Sequence, residues 1–288
     1  MDRMLVAFNK AAHGITHVRA DVCGVAVCTA ATEGCEQQPE THFTERELLD
    51  IATHPLPKMR VITMLSLKAA VAKVLRQSNL NIGSFMGIEI HKSEYGLPFV
   101  HLSGGPAEHA KRAGITDVFV SSTNDAGTAF SIAAAIDREM AIDGTQTLGI
   151  VIDFLYNKTA EQMFLGCPAS ELRQMFTQRE LSEAYGQPYQ IAAARMLLAL
   201  VSVKEAAFKA VSEAYFRIHS HSRLDRTLEQ LSFLDIEVTG ITTNSIRVTL
   251  MNQMPYAAKR AGIQNIVVKM SNQEDCVGAI AFAKGTRR

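Results

Sequence analysis

The sequence predicts an α+β protein built from two repeats of one module, each a small, mostly antiparallel sheet packed on a long helix. Three observations predict it. Short segments recur in one order along the 288 residues: "FTEREL" from Phe43 and "FTQREL" from Phe176, "FMGIEI" from Phe85 and "FLDIEV" from Phe233, and "AKRAGI" from Ala110 and again from Ala258. The first pair is 133 residues apart and the other two are 148 apart, so the second copy has gained 15 residues in between. Each copy also carries one long apolar run at helical spacing and several shorter runs that read as strands.

The elements follow in the same order in both copies. An opening apolar run, "VCGVAVC" from Val22 or "TLGIVIDFL" from Thr147, reads as a strand. The F-T-x-R-E-L box opens a short helix, because its threonine can cap and its acid suits a first turn. The long helix is expected from about Arg60 to Gln77 and from about Tyr189 to Phe216, where alanines favour helix. Two strands come next, then a helix that ends at the A-G-I box. Gly114 and Gly262 stand where a helix C-cap glycine is expected. "DVFVSS" and "TAFSIAAAI" close the first copy, and "NIVVKMS" and "CVGAIAFA" close the second. The polar stretch Ile142 to Thr147 divides the chain into repeats at residues 1–143 and 144–288. Two such copies are expected to pack about a pseudo-two-fold axis, with a ligand groove between them.

Composition narrows the function classes. Hydrophobic residues make up 47% and charged residues 20%, ample for a packed core. Lysine plus arginine equals aspartate plus glutamate at 29 each, which argues against general nucleic-acid binding. Five cysteines without C-x-x-C spacing suggest neither a zinc knuckle nor a disulfide framework. Free thiols fit a reducing cytoplasm, no run of about 18 apolar residues predicts a membrane span, and the N-terminus lacks the apolar core of a signal peptide. A cytoplasmic protein is expected.

The chemistry-bearing stretch is "LVSVKEAAFKAV", Leu200 to Val211. Glu205 and Lys209 are four apart on one helix face, which is either a surface pair or part of a site. Asp153 ends the opening strand of the same copy, where it either caps a turn or joins that site. The first copy reads "SLKAAVAKVL" in the helix. It keeps Lys68 and Lys73 but has Ala69 in place of the glutamate, and Asp21 is taken as its strand aspartate.

This order of strand aspartate, F-T box, K-E-A-x-x-K helix, paired strands, A-x-x-x-G-I and closing strands resembles the holo-acyl-carrier-protein synthase group of 4'-phosphopantetheinyl transferases, in a tandem form. The resemblance implies transfer of 4'-phosphopantetheine from coenzyme A to a serine of an apo acyl or peptidyl carrier protein. It implies a magnesium ion on Asp153 and Glu205, with Lys204 and Lys209 donating to phosphate and Glu205 helping to deprotonate the serine. It also implies a coenzyme wall in the first copy, from Gly96 and Pro98 of "YGLPFVHL" and from Ser121 and Asn124 of "VFVSSTND". Asn124 falls where the family has a histidine, and no second acid follows Asp153. Two rivals are a non-catalytic protein that grips a carrier protein or a pantetheine arm, and a structural subunit of a synthase. "FRIHSHSR", Phe216 to Arg223, reads as a polar loop whose Arg217 and Arg223, with Arg226, suit an acidic partner. Gly104 and Gly105 read as a tight turn before Pro106 starts a helix.

Overall fold

The computed structural model describes residues 22–31, 41–75, 82–93, 96–140, 145–219, 228–243, 245–273 and 275–286. The chain divides between Gln146 and Thr147 into two compact units.

Unit 1 opens with β1 (Val22–Ala31), followed by α1 (Glu45–Thr53) and the long α2 (Pro57–Val74). A 3-10 turn at Ile82–Gly87 leads into the hairpin of β2 (Ile88–Lys92) and β3 (Pro98–Leu102), then α3 (Gly104–Arg112), β4 (Asp117–Asp125) and β5 (Thr128–Ile136). The main sheet has the order β1-β5-β4 and both pairings are antiparallel, with Val27 and Ser121 each opposite Ile132. Helix α2 packs on β1 and β5. Its apolar face, with Leu67, Val71 and Val74, joins Val118, Val120 and Ala133 in one core.

Unit 2 repeats the order. Strand β6 (Gln146–Tyr156) precedes two short helices, α4 (Asn157–Phe164) and α5 (Ala169–Leu172), and then α6 (Gln178–Tyr185) and α7 (Gln190–His219). The hairpin of β7 (Ile236–Thr239) and β8 (Arg247–Leu250), α8 (Met254–Arg260), β9 (Ile263–Asn272) and β10 (Cys276–Gly285) complete it. The sheet order β6-β10-β9 matches that of unit 1. Helices α4 and α5 have no counterpart in the sequence reading, which went from strand to F-T box directly. Helix α7 runs 30 residues without glycine or proline, on alanines and leucines, a span of about 45 Å.

Both F-T boxes cap their helices. Thr44 accepts from Glu47 N while the Glu47 carboxylate accepts from Thr44 N, and Thr177 and Glu180 do the same. Gly114 and Gly262 take φ of +70° and +69° past the ends of α3 and α8, a conformation that costs glycine nothing.

The same glutamates anchor the long helices. Glu47 meets the Lys68 ammonium at 2.6 Å, and Glu180 meets Lys204 at 2.7 Å. The second carboxylate oxygen accepts from Ile90 N in unit 1 and from Val238 N in unit 2, fixing the hairpin. Lys68 also donates to the carbonyls of His42 and Phe85, and Lys204 to those of Met175 and Phe233. One buried network thus joins box, long helix and hairpin in each unit.

A close approach of strand and helix sets the position of the acidic residues. A Cβ on Gly149 of β6 would lie 3.3 Å from Glu213 Oε2 and 3.5 Å from Ala210 O on α7. Gly149→Val is expected to push α7 away and to destabilise the chain by about 1–3 kcal/mol, read as a lower urea midpoint with an unchanged slope.

Candidate functional site

Strand β6 alternates, so Gly149, Val151 and Asp153 share the face toward α7. On α7, Glu205 and Lys209 are one turn apart and face that strand. Lys209 Nζ lies 2.5 Å from Glu205 Oε1 and 3.4 Å from Asp153 Oδ1. Asp153 is buried, while Glu205 and Lys209 are about one-third exposed, so the group opens to solvent on the helix side.

The electrostatics are those of crowded carboxylates in a dry wall. Burial, and then the charge of Glu205, push Asp153 up to about 6, against the pull of Lys209 and Ser202. Burial pulls the Lys209 ammonium down, but Asp153 and Glu205 outweigh it and hold its pKa above the ordinary lysine value. Two carboxylates forced together are a donor set that a hard divalent cation fits, with its remaining positions left to water and substrate oxygens. Among the described residues, no group of three or more His, Cys, Asp or Glu side chains could hold a metal by itself.

Lys204 does not join this group. It is 0% exposed, and its ammonium is occupied by Glu180 and two carbonyls. The expectation that Lys204 donates to phosphate is therefore corrected: it is one helix position from Glu205, about 100° around the axis, and faces the core of unit 2.

The first copy needs a second correction. Asp21 lies outside the described residues, and the place of Asp153 in unit 1 is held by Cys28. A Cβ on Gly24 would lie 3.8 Å from Val74 O, as one on Gly149 would lie 3.5 Å from Ala210 O. Ser66 of α2 donates to Cys28 O at 2.9 Å, and its counterpart Ser202 lies against Asp153 and pulls its pKa down. Lys73 acts on Cys28 as Lys209 acts on Asp153: burial raises the thiol pKa and the lysine charge opposes the rise. Unit 1 thus carries Cys28, Ala69 and Lys73 where unit 2 carries Asp153, Glu205 and Lys209. Aligning "VCGVAVC" with "TLGIVID" on their shared glycine shows this directly.

The expected wall residues of unit 1 are only partly gathered. Ser121 is buried and Asn124 exposed, on opposite faces of β4. Asn124 Oδ1 accepts from Thr63 Oγ1 of α2 at 2.9 Å. Gly96 has φ +78° at the hairpin tip, and Pro98 opens β3 opposite Lys92. Gly104 and Pro106 both lie in the first turn of α3. Arg217 bonds Glu213 on its own helix at 2.7 Å, whereas His221, Arg223 and Arg226 lie outside the described residues.

No family model matches the sequence, and no curated protein matches it. Solved structures do. Among the structures it is similar to are holo-acyl-carrier-protein synthases. That from Plasmodium yoelii is 22% identical, with a TM-score of 0.34, over 40% of this chain and 94% of that one. The synthase from Neisseria meningitidis is 18% identical, with a TM-score of 0.36, over 40% of this chain and 98% of that one. The Helicobacter pylori synthase, solved with coenzyme A, is 21% identical, with a TM-score of 0.34, over 39% of this chain and 99% of that one. Each synthase is thus matched almost whole by less than half of this chain. Among the described residues, no helix is long and apolar enough to cross a membrane.

Proposed function

We propose that this protein transfers 4'-phosphopantetheine from coenzyme A to a serine of an apo acyl or peptidyl carrier protein, with Asp153, Glu205 and Lys209 as its reactive group. The observation that carries the reading is the contrast between the units. On one scaffold, with the same buried anchor, unit 2 alone among the described residues sets two carboxylates and a lysine together. That is the D…K-E-A-x-x-K pattern of the synthase family, made into a three-residue cluster.

The reaction joins the serine oxygen to the phosphorus that bears pantetheine and breaks the bond to 3',5'-ADP. Glu205, partly exposed beside Asp153, takes the serine proton directly or through water. Lys209 presents a fixed positive charge to the pyrophosphate. Asp153 and Glu205 would hold magnesium, which when bound offsets the charge of the pyrophosphate and of the leaving 3',5'-ADP. Gly96, Pro98, Ser121 and Asn124 are read as coenzyme contacts of unit 1, on the resemblance alone. The two units are read as copies of one ancestral module, of which unit 1 has given up its acids.

A second reading, a non-catalytic binder of carrier protein or pantetheine, draws on Lys209, whose ammonium already neutralises the carboxylates. One experiment separates the two. The protein is incubated with magnesium, coenzyme A and a panel of apo-carrier proteins, and intact mass is read. A gain of roughly 340 Da on a carrier, the mass of one phosphopantetheine, is expected. Coenzyme A binding without that gain would favour the binder.

A further inference from the structure

Two lysines of α7 are held in opposite ways. Lys204 is 0% exposed, and its ammonium donates to Glu180 and to the carbonyls of Met175 and Phe233, which uses all three of its donors. Lys209, five residues on, has a side chain 39% exposed and meets two carboxylate oxygens, Glu205 Oε1 at 2.5 Å and Asp153 Oδ1 at 3.4 Å. Those carboxylates come from different elements, Asp153 from β6 and Glu205 from α7. The ammonium therefore bridges two like charges, which is the place any cation shared by the pair must take. Its four-carbon stem is flexible, so this bridge is one that the side chain can leave.

Access and the first copy point the same way. The Asp153 side chain is buried, and the solvent-facing members of the group are Glu205 and Lys209, so a cation reaching Asp153 comes in past the lysine. Unit 1 shows the same lysine without the acids. Lys73 stands at the place of Lys209, with Cys28 and Ala69 where the carboxylates would be, and it is exposed. On a shared scaffold the lysine stands in solvent where the acids are missing and folds onto them where they are present. The carboxylates, rather than the packing of the helix, hold Lys209 in.

We propose that Lys209 is a built-in counter-cation, and that its ammonium and a divalent cation bridge Asp153 and Glu205 in turn, never together. This rests on the reading of the two acids as cation ligands and adds how the lysine serves it. In one state Lys209 keeps the carboxylates together. In the other it gives up the bridge, and its charge is released toward the pyrophosphate. The bridge lowers the apparent affinity for the cation by the fraction of time that Lys209 spends out of it.

The test uses Mn2+ as the probe, without coenzyme, on the full chain. Free Mn2+ is followed by its electron paramagnetic resonance signal during titration. Lys209→Met is expected to bind Mn2+ about tenfold or more tightly than wild type, the gain if the lysine leaves the bridge a tenth of the time or less. Asp153→Asn is expected to lose the binding, which places the ion. A crystal structure of wild type grown with Mn2+ follows the lysine itself. The anomalous peak is expected at Asp153 and Glu205, with Lys209 Nζ out of hydrogen-bonding reach of Asp153. This structure also decides the matter should Lys209→Met fail to fold. Equal affinity in wild type and Lys209→Met, or a peak at both acids with Lys209 still bonded to Asp153, overturns the exchange and leaves the transferase reading standing. No Mn2+ binding in wild type or in Lys209→Met, or binding that survives Asp153→Asn, overturns the exchange together with the magnesium site of that reading.

Discussion

Asp153→Asn and Glu205→Gln are each expected to cut phosphopantetheine transfer by about a thousandfold, while neither loosens the fold. Each change keeps the shape of the side chain and removes one negative charge. If the pair holds a divalent cation against the pyrophosphate, losing one donor forfeits several kcal/mol of charge stabilisation, which is three decades or so of rate. Stability should move the other way at Asp153. Its pKa in the folded chain is raised to about 6 by burial and then by Glu205. A raised carboxylate favours folding when protonated, so that contribution is complete at low pH and is lost as pH climbs through 6. Above that, the ionised Asp153 opposes folding. Asparagine should therefore raise the melting temperature at pH 7.5 while transfer is lost, the trade expected where an acid is kept for chemistry rather than for packing. Lys209 keeps Glu205 as a partner in this variant, so no buried cation is stranded. Transfer within tenfold of wild type in both variants, measured by the mass gain of a carrier protein with time, would remove these residues from the reaction.

The sequence made the repeated element order legible because its anchors do two jobs at once. Thr44 and Glu47, like Thr177 and Glu180, cap a helix and also reach into the buried network, so both copies keep them in place. The pairing of Glu205 with Lys209 was legible from helical spacing alone. Lys204 was misread for a physical reason. Adjacent residues in K-E look like one charged unit on paper, but a helix turns about 100° per residue and sends them to different surroundings. The sequence did carry a warning: Lys68 is kept in the copy that has Ala69 in place of the acid, which marks the lysine as scaffold. Asp21 was misread because an aspartate near a strand drew more notice than the glycine that fixes register. At Gly24 and Gly149 an added Cβ would meet the long helix, and counting four residues on from each gives Cys28 and Asp153.

Lys204→Ala is expected to destabilise the chain by about 3–5 kcal/mol. The Lys204 side chain is fully buried and so is its partner Glu180. Burial lowers the lysine pKa, and the hydrogen bond and charge of Glu180 work to raise it again, so the ammonium depends on this carboxylate. Removing the lysine leaves Glu180 charged in the core, although the carboxylate still accepts from Thr177 N and Val238 N. The carbonyls of Met175 and Phe233 each lose a donor as well. The paired change Lys204→Met/Glu180→Gln should recover much of the loss, since it replaces two buried charges with an apolar stem and a neutral amide that can still cap α6. Lys68→Ala should act in the same way on unit 1, through Glu47 and Ile90. Urea unfolding at pH 7.5 measures each. If Lys204→Ala lost less than about 1 kcal/mol, the lysine would not be the anchor of α7, and its assignment as scaffold rather than phosphate ligand would fall with it. If it lost the expected amount and the paired variant regained both stability and transfer, Lys204 would be shown to hold the helix that carries Glu205 and Lys209 without touching substrate itself.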